Sequence, residues 1–235
     1  MPMLSNKDRE FLRSHLEHSL HDPITLILFT QTIECQFCRE TKALLTEVAE
    51  LSDAITLEVY NFVTDKPVAT EYGILRIPAI VVRGAKDYGI RFYGIPSGYE
   101  FNTLIEDIVA VSNHEHGLSD DTVARLSDLE QPVHMQVFVT PTCPYCPGAV
   151  RVAHAMAMAS DWITADMIES VEFPQLANKH GVYGVPRTVI NDETSFEGAA
   201  PEELVVAKVL QATGKMTEAE VEALFQSFEG DLETS

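Results

Sequence analysis

The chain has 235 residues, 46% of them hydrophobic, and carries 36 acidic side chains against 16 basic ones for a formal net charge of −20. That charge opposes a phosphate backbone and argues against nucleic-acid binding, and no apolar run approaches the length needed to span a bilayer. Residues 1–20 include Lys7, Asp8, Arg9, Glu10, Arg13 and Glu17 and so lack the apolar core of a secretory signal, which makes a cytoplasmic location the expectation.

In chain order, Ser5 and Asp8 have the spacing of a capping box, and Leu4, Phe11, Leu12, Leu16 and Leu20 recur at helical spacing, predicting a first helix. Ile24 to Phe29 is a short apolar run after Pro23, as expected of a strand buried on both faces. A helix follows from Gln36 through Leu44, Leu45, Val48 and Leu51. Ile55, Leu57 and Val59 alternate with polar neighbours as a strand, and Lys66 to Tyr72 reads as a short helix. Beyond Pro78, Ala79 to Arg83 and Ile90 to Tyr93 form a hairpin around Gly84 to Gly89, and Phe101, Leu104, Ile105 and Ile108 mark a closing helix. The order then repeats. Ser119 caps a helix with Asp120 and Asp121 in its first turn, and Val133 to Val139 is a strand. Gly148 to Ala159 is an apolar helix, Ile163 to Ile168 a strand and Phe173 to His180 a short helix. Thr188 to Ile190 and Thr194 to Phe196 form a hairpin, and Glu202 to Leu210 a last helix. The final 20 residues hold Glu218, Glu220, Glu222, Glu229, Asp231 and Glu233 without a base, which reads as a solvated, frayed helix.

All four cysteines fall in two pairs, Cys35-Gln36-Phe37-Cys38 and Cys143-Pro144-Tyr145-Cys146, and each pair is followed by an apolar-proline dipeptide, Ile77-Pro78 and Val185-Pro186. Cysteines and prolines repeat with a common offset of 108 residues, and the hairpins end alike at Gly94 and Gly198. A duplicated unit is therefore expected, with domains at residues 1–117 and 118–235 and a boundary in the segment Asn113 to Ser119. Each half has the order α-β-α-β-α-β-β-α, which implies an α/β fold with a mixed sheet flanked by helices on both faces.

A strand, a CxxC pair at a helix start, and an apolar-proline dipeptide before a hairpin resemble the thioredoxin fold, here in tandem. The CQFC and CPYC pairs, with Gly94-Ile95-Pro96-Ser97-Gly98-Tyr99-Glu100-Phe101, resemble the glutaredoxin-like protein disulfide oxidoreductases of archaea and some bacteria over residues 4–213. The resemblance implies a thiol–disulfide oxidoreductase acting on protein disulfides. It also implies that Pro78 and Pro186 are cis and lie beside the cysteines, where the backbone of Ile77 and Val185 pairs with a bound peptide strand.

Chemically, a thiolate at a helix N-terminus is stabilised by unpaired N–H groups and the helix dipole, so Cys35 and Cys143 are the expected nucleophiles and Cys38 and Cys146 the resolving thiols. With Cys143 as N-cap, Pro144 falls at the first helical position. The dipeptides differ, so the two sites need not share a potential. Thioredoxins bury an acid six residues before the nucleophile; Phe29 and Val137 stand there instead. Glu34 is a substitute candidate at the first site, and Arg39 and Lys42 are candidates for lowering the thiol pKa. His134 and His154 read as half-buried structural histidines. No dinucleotide or P-loop motif occurs, and the glutathione-binding signature of glutaredoxins is not evident after Gly198. No cofactor is therefore expected, and electrons would come from a thioredoxin-reductase-like flavoprotein or another thiol donor. A narrower alternative is the dedicated reductant of a peroxiredoxin. The alternative of another class is a zinc or iron–sulfur module, disfavoured because 104 residues separate Cys38 from Cys143.

Overall fold

The computed structural model describes residues 3–233, with side chains described to residue 227; the end of the acidic segment, including Glu229, Asp231 and Glu233, lies outside the described side chains. The first half contains α1 (Asn6–Ser19), β1 (Ile24–Thr30), α2 (Cys38–Ala49), β2 (Ile55–Asn61), α3 (Lys66–Glu71), β3 (Ala79–Arg83), β4 (Asp87–Tyr93) and α4 (Glu100–Asn113). The second contains α5 (Asp120–Ser127), β5 (Val133–Val139), α6 (Cys146–Ala159), β6 (Ile163–Glu169), α7 (Pro174–Lys179), β7 (Arg187–Ile190), β8 (Thr194–Glu197), α8 (Glu202–Ala212) and α9 (Glu218–Glu233). Ser5 and Ser119 cap α1 and α5 through the N–H groups of Asp8 and Thr122, as the sequence predicts. The first hairpin is tighter than predicted: β4 begins at Asp87, because the Arg91 guanidinium fixes that residue at 2.6 Å and draws Asp87 to Gly89 into the strand.

The two halves share one eight-stranded sheet, in the order β2-β1-β3-β4-β6-β5-β7-β8. Its centre is a parallel pairing of β4 with β6, from Ile90 opposite Ala165 to Tyr93 opposite Ile168. Ile90, Phe92 and Tyr93 are buried, as are Ala165, Met167 and Ile168, so neither strand is suited to be a solvated edge. Strand directions follow from the pairings: β1, β2, β4, β5 and β6 all run the same way, while β3 and β7 run against them. The carboxyl ends of β1 and β5 consequently lie on one edge of the sheet. Four strand spacings separate them, or about 19 Å.

One face of the sheet packs against α1, α2, α4, α5, α6 and α8 through a cluster that includes Leu16, Leu45, Phe92, Ile108, Val150 and Val206. The other face carries the short α3 and α7, over Ile27, Phe29, Val81, Phe138 and Ile168. Across the seam, α4 of the first half packs on α6 of the second. His154 is fully buried there, not half-buried. Its Nδ1 meets the Asp107 carboxylate at 2.6 Å, and its ring stands edge-on to Phe92 at 5.0 Å.

Gly89 marks how closely the seam is packed. It has φ +80°, and a Cβ there would lie 2.7 Å from the Ile163 carbonyl oxygen, a backbone atom with no freedom to retreat. Gly73 has φ +66° with open space around it. Gly73→Ala is expected to cost about 1 kcal/mol, from the backbone conformation alone, and Gly89→Ala about 3 kcal/mol, by adding the clash at the seam. Urea unfolding of the two variants beside the parent checks the ranking; equal losses would show that the seam yields freely.

Candidate active sites on one sheet edge

The backbone brings each CxxC pair to the carboxyl end of a central strand. Both pairs are disulfide-bonded, Cys35 to Cys38 and Cys143 to Cys146, with 5.5 Å between Cα atoms in each. Neither outer cysteine is the expected N-cap residue: α2 begins at Cys38 with Phe37 as its N-cap residue, and α6 begins at Cys146, two residues ahead of the predicted Gly148, with Tyr145 as its N-cap residue. Pro147, not Pro144, therefore occupies the first turn. The two-residue spacer forms a turn ahead of the helix, because the ring must bring two sulfurs together before regular i to i+4 bonding starts. Cys143 nevertheless acts as a side-chain cap, its Sγ accepting the Cys146 N–H at 3.1 Å. The inner cysteines Cys38 and Cys146 are buried. Cys143 is 7% exposed and Cys35 is more open.

The prolines assemble with the cysteines. Both Ile77–Pro78 and Val185–Pro186 are cis peptides. Pro78 precedes Ala79, which pairs with Phe29 of β1, and Pro186 precedes Arg187, which pairs with Phe138 of β5. Each proline thus stands on the same sheet edge as its CxxC pair. The carbonyls of Pro78 and Pro186 accept the N–H groups of Gly94 and Gly198 at 3.0 and 2.8 Å. Ile77 and Val185 are half-buried.

The pairings correct the repeat. Phe29 matches Phe138, not Val137, so β1 and β5 are offset by 109 residues although the cysteines are offset by 108. The first half carries one extra residue between Thr30 and Cys35. Glu34 sits in this longer loop with φ +58° and an exposed side chain, which does not favour it as a buried proton acceptor. Because of the insertion, Phe29 and Val137 point to opposite faces of the sheet. Arg39 is turned to Glu40 at 2.9 Å and Lys42 is exposed.

A buried acid is present all the same, and it comes from the other half of the chain. The segment 94–99 leaves β4 and crosses onto the second half. Tyr99 N–H donates to the Pro141 carbonyl at 3.2 Å, and Gly98 approaches so closely that a Cβ would lie 2.1 Å from that oxygen. This contact sets Glu100, the first residue of α4, beside the segment that leads into Cys143. Glu100 is 2% exposed, and neither carboxylate oxygen has a hydrogen-bond partner. Burial pushes its pKa up to about 7, against the pull of the positive charge of His154 and Arg151 nearby. Sequence reasoning overlooks Glu100; the available signal is a carboxylate on the apolar stripe of a helix directly after a Gly-rich turn.

Two more carboxylates lie at the seam. Glu172 accepts the Ile95 N–H at 2.7 Å, and burial raises its pKa to about 7; Glu169 accepts the Glu172 N–H at 2.7 Å and is also raised by burial. Elsewhere on the seam His134 is half-exposed and bonds Asp166 at 2.6 Å. The four cysteines lie too far apart in pairs to share one ion, and among the described residues no cluster of His, Cys, Asp and Glu has the arrangement of a metal site.

Comparison with known proteins agrees with this geometry. Residues 133–211 match the thioredoxin domain family. The solved protein disulfide oxidoreductase from Aeropyrum pernix k1 is 32% identical, with a TM-score of 0.84 over 91% of this chain and 95% of that one. The NTD_N/C domain of alkylhydroperoxide reductase AhpF from Enterococcus faecalis is 27% identical, with a TM-score of 0.79 over 86% of this chain and 98% of that domain. The F component of alkyl hydroperoxide reductase from Staphylococcus epidermidis is 30% identical over 171 residues, 72% of this chain but 31% of that protein, so the chain spans about a third of the curated relatives it matches. Identity with the Aeropyrum protein over nearly the full length of both chains, together with two CxxC pairs on a tandem thioredoxin fold, shows that the chain belongs to the protein disulfide oxidoreductase family.

Proposed function

We propose that the chain is a thiol–disulfide oxidoreductase of protein disulfides, with two functional units at residues 1–117 and 118–235 that each use their own CxxC pair. The observation that carries this reading is the repeated arrangement of an outer cysteine, a buried inner cysteine and a cis-proline on one sheet edge. Cys35 and Cys143 are the nucleophiles, being the more exposed member of each pair. The thiolate attacks one sulfur of a substrate disulfide. A mixed disulfide forms, the substrate S–S bond breaks, and the departing sulfur leaves as a thiolate that takes a proton from water. Cys38 or Cys146 then loses its proton and attacks the mixed disulfide, freeing the second substrate thiolate. In sum the substrate gains two electrons and two protons, and the dithiol becomes a disulfide. Ile77 and Val185 offer backbone groups to the substrate strand, next to prolines that have no competing N–H.

At the second site Glu100 is the proton acceptor for Cys146. A carboxylate with a pKa of about 7 is matched to a thiol near neutral pH, and its unpartnered oxygens leave it available. Electrons return from an external dithiol or a thioredoxin-reductase-like flavoprotein. A peroxiredoxin disulfide as substrate is the second reading, favoured by the extended similarity to the alkyl hydroperoxide reductase relatives. No described helix is long and apolar enough to cross a membrane, and a cytoplasmic setting, where a flavoprotein donor is at hand, suits this chemistry.

Insulin-disulfide reduction with dithiothreitol as donor tests the assignment. Cys35→Ser combined with Cys143→Ser is expected to lower the catalysed rate at least about a hundredfold, and an undiminished rate would sink the mechanism.

The pH dependence tests Glu100 separately. Its carboxylate accepts a proton only when ionised, so resolution at Cys146 should accelerate as pH rises through about 7. Glu100→Gln should slow that step about tenfold or more and abolish this limb of the profile. Stability has the opposite trend. A carboxyl pKa raised on folding contributes stability below its unfolded value, and that contribution is lost as pH rises through about 7, so Glu100→Gln should stabilise the fold most at alkaline pH. An unchanged rate profile in the variant would remove Glu100 from the mechanism.

A further inference from the structure

A groove of about 460 Å³ runs from the loop before Pro78 to the short helix α7, lined by Arg76, Ile77, Glu172, Phe173, Gln175 and Lys179. It begins at Ile77, to which the proposed mechanism assigns the substrate strand. A docked strand advances about 3.3 Å per residue, so side chains two or three residues from the substrate's cystine stand over this groove.

Arg76 is the group in it without an occupation. The arginines of the neighbouring strands each hold a carboxylate: Arg83 holds Glu58 at 3.1 Å, Arg91 holds Asp87 at 2.6 Å and Arg187 holds Glu197 at 2.9 Å. Arg76 is half-buried yet, among the described residues, has neither a hydrogen bond nor an ion pair, in a chain with more than twice as many acids as bases. It shares the groove with Glu172, Phe173, Gln175 and Lys179 of the second half, and its positive charge is felt at Tyr93, His134 and His180. The other charges in the groove each have a partner, although Glu172 uses only one of its two oxygens. Lys179 bonds Asp192 at 2.8 Å, and Glu172 accepts the Ile95 N–H. A planar guanidinium with free donors has the geometry to take a carboxylate. The repeat supplies a contrast, because the residue two positions before Pro186 is Gly184, which has no side chain to offer.

We propose that this groove is a subsite for polypeptides docked at the CQFC pair, in which Arg76 receives a carboxylate side chain flanking the substrate's cystine, and that the CPYC pair lacks this selection. The inference rests on the disulfide-exchange reading and names the substrate class of one of its two sites.

The test uses full-length protein carrying Cys143→Ser and Cys146→Ser, reduced beforehand, and three cystine peptides that differ only in having Asp, Asn or Lys two and three residues to either side of the cystine. Single-turnover reduction of the Asp peptide should be about fivefold faster than that of the Asn peptide, with the Lys peptide slowest, and the spread should shrink at high salt. Arg76→Gln should bring the Asp peptide to the Asn rate, and Arg76→Glu should reverse the order in favour of Lys. In the complementary protein with Cys35→Ser and Cys38→Ser, the three peptides should react alike. Equal rates for the three peptides at the CQFC pair would overturn the proposal, as would a preference that survives Arg76→Gln. If neither protein reduces any of the peptides, the exchange reading itself fails, and the subsite falls with it.

Discussion

The pairing of β4 with β6 determines how the whole molecule works as one body. Without it, two four-stranded sheets would each expose an edge strand whose buried apolar residues, Ile90, Phe92 and Tyr93 in one and Ala165, Met167 and Ile168 in the other, would lose their cover. With it, the strands that lead into the two CxxC pairs run parallel within one sheet and end on one edge, about 19 Å apart. That separation is several times the reach of a disulfide, so the two pairs do not pass electrons by direct attack of one on the other. A polypeptide, a donor protein or a second molecule must carry them. Both pairs are nevertheless presented in the same direction, so a single large partner is able to meet both.

The seam is also where the carboxylates raised by burial collect. Glu100, Glu169 and Glu172 all have pKa values raised by burial, and all lie where the segment 94–99 folds onto the second half. Burying an acid is unfavourable when it ionises, and an apolar residue would fill the same space without that cost. Glu172 at least satisfies a backbone N–H of the crossing segment. Glu100 satisfies nothing in the oxidised protein, which is the reason to look for its role in a proton transfer that the disulfide state does not require.

Much of the fold is legible in the sequence because its strands are continuous apolar runs and its helices carry clear stripes and caps. Ser5, Ser119 and the strand Val133 to Val139 appear as read. The site cysteines and prolines are legible for another reason: two independent landmarks keep a single spacing. What escapes is nonlocal or lies beneath that spacing. The join of β4 to β6 leaves no local signature, since an apolar strand reads the same in the middle of a sheet or at an edge. The extra residue before Cys35 is hidden when only the cysteines and prolines are matched, because the strands of the first pair sit one residue out of step with them. The thioredoxin pattern places the acid six residues upstream of Cys143 in the same half, whereas the fold supplies Glu100 from 43 residues upstream, in the other half.

The two halves therefore diverge by what each lends to the other. The first half gives the CPYC pair a roof: the segment that places Tyr99 on Pro141 and Glu100 behind it, with Cys143 left only slightly exposed. The second half gives the CQFC pair a wall, Glu172 and Phe173 followed by α7 up to Lys179, that shares a groove with Ile77 and Arg76. A loop longer by one residue, with Glu34 at positive φ, leaves Cys35 the more open of the two outer cysteines. A duplicated unit that closed on itself would have produced two equivalent sites. Joining the copies through one sheet makes the surroundings of each pair a composite, lined by residues of both halves. Separating them is expected to remove Glu100 from the surroundings of one pair and α7 from those of the other.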